Sequence, residues 1–198
     1  FCLDLFAQQL EINSSKIQYD DVSKVTILKG SVSSVDEKGN KIFSEYAKYN
    51  KLKEIIETKG ATKIITSGGY EVSSSDIIFD NKNNIIYSNN KTNIVDKDGN
   101  DISVEMFNYS ILTNIFFSKG SIKITDINNN NYNFSEIYID ENKKKIIGSD
   151  IKAYLNQPGI SINTDNNPRF FANTMVLSEN INTLEKGIFT YCKKKSWW

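Results

Sequence analysis

Residues 19–30 read YDDVSKVTILKG, and the landmarks of this stretch return through most of the chain. Its aromatic-Asx corner, Tyr19-Asp20, recurs every thirty residues. The later copies are Tyr49-Asn50, Phe79-Asp80, Tyr109-Ser110 and, more weakly, Ile139-Asp140. Two sets of glycines keep the same phase, Gly30, Gly60 and Gly120 in the first and Gly39, Gly69 and Gly99 in the second. Self-similarity held in register over several copies predicts a repeat architecture.

Each period predicts two antiparallel strands of roughly ten residues, because two turn signals interrupt segments rich in β-branched and aromatic residues. One turn signal follows the aromatic corner. The other is DEKGN at residues 36–40, mirrored by DKDGN at 96–100, and suits a hairpin with a left-handed glycine. We therefore predict an all-β stack of antiparallel hairpins over residues 12–157. Its turns are expected near 20–24, 36–40, 50–54, 66–70, 80–84, 96–100, 110–114 and 126–131.

The repeat columns predict which side of each strand faces inward. The columns that begin at Ile42, Ala47 and Tyr49 stay mostly apolar from copy to copy, whereas the column Ser33, Lys63, Asn93 and Lys123 is polar. Strands with one apolar and one solvated face produce this alternation. The inward phase slips by one residue between positions 44 and 47, which predicts a bulge or bend in every second strand.

Composition excludes several classes of function. Lys+Arg and Asp+Glu both number 24 in the 198 residues, so the formal net charge is zero and nothing favours nucleic acid as a partner. The absence of His removes the commonest acid/base catalyst and the commonest metal ligand. Residues 96–101, DKDGND, have the look of a calcium loop but lack the remaining ligand spacing. We therefore expect no enzyme, no cofactor and no metal site.

The inward columns are the remaining candidate for function. They can close into a core or leave a trough for acyl chains, whose burial is worth about 0.8 kcal/mol per methylene. If the columns are a lipid path, its predicted lining is Ile64, Val72, Ile77, Phe79, Ile94, Ile102, Phe107, Tyr109, Ile122, Ile124 and Ile137.

Two units of the sequence carry a family resemblance. Residues 44–50 followed by 55–60, and residues 17–20 leading to 30–32, share a pattern: small-acidic-x-apolar-x-aromatic-Asx, a turn, and a strand ending in x-G-x-V. This pattern resembles the OstA-like repeat of lipopolysaccharide-transport proteins over roughly residues 11–157. Residues 184–192, LEKGIFTYC, look like the segment in which the outer-membrane lipopolysaccharide-assembly protein (LptD type) leaves its jelly roll for its barrel.

The resemblance implies a β-jelly roll, or half-open β-taco, that passes lipopolysaccharide to an outer-membrane translocon without enzymatic activity. The implied partners are lipopolysaccharide, a periplasmic bridge protein that pairs through edge strands, and an outer-membrane lipoprotein plug reached through a barrel. The implied location is the periplasmic face of the outer membrane. The runner-up is the soluble bridge protein of the same pathway, and a third alternative is a structural β-repeat protein with a filled core and no ligand.

The termini add three expectations. Residues 1–7, FCLDLFA, look like the remnant of a signal peptide, and residues 8–157 are expected to form the jelly roll. Residues 158–198 are expected to be a loop and terminal strands that lead toward a missing barrel. The resemblance leaves Cys192 without a partner in this chain, reserved for a disulfide with a Cys of that barrel.

Overall fold

The computed structural model describes residues 11–35, 39–156, 168–178 and 181–191. Within these ranges all regular structure is β-strand, and no helix is long and apolar enough to cross a membrane. The strands are β1 (Glu11–Asn13), β2 (Lys16–Asp20), β3 (Val25–Val35), β4 (Lys41–Asn50), β5 (Ile55–Thr58), β6 (Ala61–Ile65), β7 (Glu71–Ser75), β8 (Ile78–Asp80), β9 (Ile85–Ser88), β10 (Thr92–Val95), β11 (Asp101–Val104), β12 (Phe107–Ser110), β13 (Ile115–Thr125), β14 (Asn131–Asp140), β15 (Lys145–Tyr154), β16 (Arg169–Leu177), β17 (Asn182–Glu185) and β18 (Ile188–Thr190). Every pairing between them is antiparallel, so the all-β antiparallel fold class is confirmed.

The turn after the aromatic corner is held by an Asx side chain in four of the five copies, and in the fourth copy Ser110 Oγ accepts a hydrogen bond from Thr113 Oγ1 instead. In the third copy Asp80 Oδ1 accepts a hydrogen bond from the backbone N–H of Asn83 at 2.9 Å. The turn then closes through Asn84, whose φ of 55° lies in the left-handed region that Asn tolerates better than most residues. The same turn occurs at residues 21–24, 51–54, 111–114 and 141–144.

The second turn of each period uses the D-x-x-G-N signal. Asp96 Oδ1 accepts the N–H groups of Asp98 and Asn100, both at 2.9 Å, and Gly99 takes a φ of 87°. The predicted left-handed glycine is therefore confirmed here. The carboxylate that suggested a calcium loop is engaged by the backbone of its own turn. In the first copy, residues 36–38 lie outside the described part of the chain.

Successive repeats are bonded to one another at both rows of turns. At the corner turns, the carbonyl of Lys24 accepts the N–H of Lys51 at 3.0 Å. The same bond recurs from Glu54 to Asn81, from Asn84 to Ile111 and from Asn114 to Glu141. At the hairpin turns, the side-chain oxygens of Asn40, Asn100 and Asn130 accept the N–H groups of Ser67, Ile127 and Asn156. Each repeat is thus hydrogen-bonded to the next at both rows of turns, so these bonds recur with the thirty-residue period.

The strands form two hydrogen-bonded ladders joined along a crease. Ladder A runs β2-β3-β4-β5-β8-β9-β12-β13-β14-β15-β16-β17 and carries the corner turns. Ladder B runs β1-β3-β4-β6-β7-β10-β11-β13-β14-β15-β16-β18 and carries the hairpin turns. The long strands β3, β4, β13, β14, β15 and β16 belong to both ladders, one half to each.

The crease corrects one prediction. We expected a bend in every second strand, and the second strand of a period does break, between β7 and β8 and between β11 and β12. The first strand of a period bends as well. Its register shifts between Lys29 and Val32 and again between Lys119 and Ile122, and Gly30, Gly60 and Gly120 take positive φ there. Glycine allows this backbone at little cost, so both strands fold over at one line.

The stack continues past residue 157. Strand β16 pairs with β15 from Tyr154↔Arg169 to Ile146↔Leu177, and β17 and β18 pair with β16. The terminal strands therefore extend both ladders. Residues 1–7, Cys2 and Cys192 fall outside the described residues, so the expectations about a signal peptide and about Cys192 stay predictions.

Candidate functional site

The inward face of ladder A is apolar because alternate residues of each strand point to the same side. Ile77 and Phe79 point inward from the third copy, and Phe107 and Tyr109 occupy the same positions in the fourth. Ile77 has no exposed surface at all.

The inward face of ladder B is built in the same way. Ile64 and Val72 are partners across β6 and β7, and Ile102 and Ile124 are partners across β11 and β13. One apolar cluster includes these four residues together with Ile77, Phe79, Phe107 and Tyr109 of ladder A. The two ladders therefore face each other across a shared interior.

The structure brings the predicted lining residues together. Buried among them are Ile64, Ile77, Phe79, Ile94, Phe107, Ile122 and Ile137. Half-buried at the same interior are Val72, Ile102, Tyr109 and Ile124. Between the ladders' middle strands this interior is packed as closely as a core, so a ligand could enter there only if the ladders part.

Five further buried residues belong to this interior and were missed by the sequence reasoning: Val104, Phe134, Ile151, Ala172 and Met175. Val104 and Phe134 share a repeat column with Ser44 and Ser74, and the column changes from small polar to large apolar halfway along the stack. That change was readable from the sequence. Ala172 and Met175 could not be predicted as lining residues, because the thirty-residue register ends before β16.

The crease is lined by buried hydroxyl groups in the amino-terminal half of the stack. Thr62 Oγ1 lies 2.8 Å from Thr58 Oγ1, and Ser74 Oγ lies 2.7 Å from Thr92 Oγ1. Ser88 Oγ donates to the carbonyl of Ser75 at 2.9 Å. Among the described residues no buried side-chain polar atom lacks a partner, so this hydroxyl row is satisfied within the protein.

Toward the carboxyl-terminal end the crease becomes tight beyond the buried Ser118, whose hydroxyl donates to the carbonyl of Met106 at 2.8 Å. Gly148 sits in the repeat column of Ser88 and Ser118, and a Cβ added to it would lie 2.6 Å from Cδ1 of Phe134. The ring of Phe134 therefore occupies the space that a side chain would need. The floor of the interior changes from hydroxyl-lined to aromatic along its length.

The two rows of turns approach each other across the mouth of the interior. Burial, together with the nearby Glu141 and Tyr70, raises the pKa of Tyr109 to about 12. Burial also raises the pKa of Glu141, while Lys97 and a hydrogen bond with Tyr109 act in the opposite direction. Tyr70 and Lys97 come from the hairpin-turn side, and Tyr109 and Glu141 from the corner-turn side. These four side chains lie near enough for their charges to influence one another across the mouth.

Both ends of the interior are open in the described structure. At the amino-terminal end, Ile17 and Tyr19 occupy the inward columns of the first copy and are 61% and 55% exposed. At the carboxyl-terminal end, Leu184 pairs with buried Met175, and Phe189 pairs with Phe170 of the interior cluster. Leu184 and Phe189 are 45% and 57% exposed. A cavity of about 320 Å³ lies at this end, lined by Phe170, Leu184, Gly187, Ile188 and Phe189.

Two bent ladders that enclose an apolar interior have a counterpart among solved structures. The crystal structure of LptH, described as the LptA homologous periplasmic component of the conserved lipopolysaccharide transport device from Pseudomonas aeruginosa, matches with a TM-score of 0.51. The match covers 57% of this chain and 82% of LptH at 14% sequence identity. The chain is a β-jelly roll. The OstA-like fold implied by the repeat pattern is thus supported, while an identity this low shows the fold alone.

Sequence comparisons add nothing to this jelly roll. No protein-family model matches the chain, and no curated protein matches it. Among the described residues no group of three or more His, Cys, Asp or Glu could hold a metal ion. The interior between the ladders is therefore the site on which a function can be argued.

Proposed function

We propose that this jelly roll is a periplasmic lipopolysaccharide-binding and transport domain that carries acyl chains between its two ladders. The observation that carries the proposal is the exposure of the inward columns at both ends. A filled structural core has no reason to present Ile17 and Tyr19 at one end and Phe189 at the other. The same repeat columns run between these ends, first through the small cluster of Leu28, Val32 and Ala47 and then through the larger cluster around Ile77 and Phe107.

The energetics favour an acyl chain as the ligand. Each methylene moved from water into an apolar interior contributes about 0.8 kcal/mol, so one long chain gains enough to compete with contacts between the ladders. The hydroxyl groups at the crease already have hydrogen-bond partners within the protein, so the ligand does not need to supply any. Chemistry is not required, and we propose no enzymatic activity.

The open edges of the ladders are the proposed binding sites for protein partners. Strand β2 pairs only with β3 and β17 only with β16 among the described strands, so ladder A has at both ends a strand with one open side. An extended strand of a periplasmic bridge protein fits such an edge by β-augmentation. This pairing would join two interiors end to end.

Two placements in the pathway follow from this arrangement. In the first, suggested by residues 184–192, the chain lies at the periplasmic face of the outer membrane and hands lipid to a barrel with a lipoprotein plug, and Cys192 bonds to that barrel. In the second, the chain is the bridge protein itself, and the fold of LptH together with an open edge at each end favours it.

Photo-crosslinking tests the proposal at neighbouring residues of one strand. A photoreactive amino acid at Ile124, which faces the interior, is compared with the same amino acid at Lys123, which faces out. We expect lipopolysaccharide to crosslink at Ile124 and not at Lys123. Equal crosslinking at both positions, or none at Ile124 in a folded protein, would mean that the interior is a closed core.

A charge placed at the interior separates transport from folding. Phe107→Asp buries a carboxylate and is expected to unfold the domain, whereas Phe189→Asp, at the open end, should leave the melting temperature unchanged and reduce lipid crosslinking at Ile124. If Phe189→Asp leaves crosslinking unchanged, the carboxyl-terminal end is not a passage for lipid.

A further inference from the structure

Four tripeptides of the type Asn-x-Ser/Thr occur in the chain, and they begin at Asn13, Asn90, Asn108 and Asn133. This tripeptide is the acceptor signal for asparagine-linked glycans when it lies at the surface of a protein outside the cytoplasm. Asn13 and Asn133 stand at the same position of the thirty-residue repeat, four periods apart. The structure therefore shows one motif in two surroundings.

Asn13 lies at the end of the outermost strand of ladder B. Strand β1 pairs only with β3 among the described strands, so its other side is open, and all three of its residues are exposed. Ile12 lies opposite Ser34 in the inward column, so Asn13 points outward. Among the described residues, neither the Asn13 amide nor the Ser15 hydroxyl has a hydrogen-bond partner. Both groups of the signal are therefore accessible to an enzyme.

Asn133 carries the same motif in the interior of the sheet. It lies within β14 and pairs with both β13 and β15, so both sides of its strand are engaged. The next residue, Phe134, is buried, and the Ser135 hydroxyl donates to Asp150 Oδ2 at 2.6 Å. An enzyme could bind this copy of the signal only by opening the middle of the stack.

The remaining two signals are blocked as well. Asn90 Nδ2 donates to the carbonyl of Ser75 at 3.2 Å, and Thr92, which supplies the hydroxyl of this signal, is fully buried. Asn108 lies in β12 and pairs with both β9 and β13. Of the four acceptors, Asn13 is thus the one whose amide and hydroxyl can be reached in the described fold.

We propose that Asn13 is a glycosylation site that receives an oligosaccharide from a polyprenyl-diphosphate-linked donor. In this transfer a bond forms between Asn13 Nδ2 and the anomeric carbon of the first sugar, and the bond from that carbon to the diphosphate oxygen breaks. The polyprenyl diphosphate leaves with the bonding electrons, and the amide nitrogen loses one proton to a base of the transferase. The site is used only outside the cytoplasm, so the inference rests on the periplasmic location of the proposed function.

Two features suit this segment to the binding site of a transferase. Strand β1 is three residues long and held on one side, so it can open from β3 without disturbing the other strand pairs. Glu11 points to the same side as Asn13 and offers the enzyme a carboxylate two residues before the acceptor. The other three acceptors have the uncharged Ser88, Met106 and Asn131 at that position.

Glycan transfer to the folded full chain in vitro tests the inference. The chain is incubated with a bacterial oligosaccharyltransferase, its divalent metal ion and an undecaprenyl-diphosphate-linked oligosaccharide, and mass spectrometry with peptide mapping locates the glycan. We expect a single glycan at Asn13 and none on Asn13→Gln. Ser15→Ala and Glu11→Gln should each slow transfer by about tenfold or more, because each removes a hydrogen-bonding or charged group that the enzyme binds. Asn133→Gln, at the same repeat position, is the matched control and should be modified as the wild type is.

A peptide of residues 9–17 makes a negative result decisive. If the peptide is modified and the folded chain is not, Asn13 is not accessible in the fold. If neither is modified by an enzyme that is active on its own acceptor peptide, the segment is not recognised. Either result, or a glycan that persists in Asn13→Gln, would overturn the inference. None of these outcomes involves the interior, so crosslinking of lipopolysaccharide at Ile124 tests the proposed function separately.

Discussion

Substitution of Gly148 by Ala tests how closely the two ladders pack at the carboxyl-terminal half of the crease. The new Cβ would lie 2.6 Å from Cδ1 and 2.7 Å from Cε1 of Phe134, well inside van der Waals contact. Phe134 is buried, so its ring has little room to move. Overpacking of this kind costs about 1–3 kcal/mol. In a domain of this size each kcal/mol lowers the melting temperature by about 2–4 °C, so we expect Gly148→Ala to melt about 2–12 °C below the wild type.

A substitution at Phe134 tests whether its ring is the cause of the instability of Gly148→Ala. Phe134→Leu removes ring atoms beside Gly148 and should be destabilising by itself because it leaves a cavity. In the double variant the added methyl fills part of that space, so the two costs should not add, and the coupling is expected to be about 1 kcal/mol or more. Urea unfolding of the wild type, both single variants and the double variant measures this coupling.

A matched glycine provides the control. Gly68 lies in a hairpin turn, and a Cβ there would have its nearest neighbours at 3.7 Å, an ordinary contact distance. Gly68→Ala should change the free energy of unfolding by less than about 0.5 kcal/mol. If Gly148→Ala is as harmless as Gly68→Ala, or if its cost and that of Phe134→Leu simply add, the ring does not fill the space over Gly148 and the crease is looser than described.

Three further predictions concern the crease, the corner turns and the mouth. Thr92→Val removes a fully buried hydroxyl that pairs with Ser74 Oγ and donates to the carbonyl of Asn90, so urea unfolding should show a loss of about 1–3 kcal/mol. Hydrogen bonds from Asn83 lower the pKa of Asp80, so its stabilising contribution should disappear as the pH falls below about 4, and Asp80→Ala should flatten the acid limb of the stability curve. The pKa of Tyr109 is raised from 10.0 to about 12, so the unfolded chain releases this proton first as the pH rises. The free energy of unfolding should therefore fall between these two values, and the fall should be smaller in Tyr109→Phe; an unchanged slope would mean that Tyr109 is not shielded at the mouth.

Much of the fold could be predicted because its determinants are local. In four of its five copies a corner turn is capped by an Asx side chain that recurs in phase with the aromatic landmark. The positive φ that closes the turn falls on Asn84 and Asn114 but also on Lys24, Glu54 and Lys144, which the sequence does not mark. Alternation along a strand then assigns residues such as Ile77 and Lys123 to opposite faces without knowledge of the partner strand. These short-range rules give the turns and the inward columns directly.

Other features depend on partners distant in sequence and could not be read in advance. The burial of the Thr62 hydroxyl could not be predicted from the sequence, because its partner Ser44 lies on another strand. Gly30, Gly60 and Gly120 were visible as landmarks, yet their bend in the first strand of each period became evident only when the two ladders were seen to share a crease. Tyr70 occupies a column that is otherwise Asn, and its burial near Glu141 of the opposite row of turns depends on how the two ladders fold toward each other.

The bonds between successive corner turns make the length of this molecule adjustable. Each links the last residue of one corner turn to the first residue of the next, from Lys24 to Lys51, Glu54 to Asn81 and Asn84 to Ile111. Removal of thirty residues between equivalent turn positions therefore joins two surfaces that already fit, and duplication of a unit does the same. Each unit adds two strands to both ladders, or about 9.6 Å of span. Gene-level gain or loss of whole units could thus match the span of such a stack to the distance it has to cover, while every turn, cap and inward column keeps its chemistry.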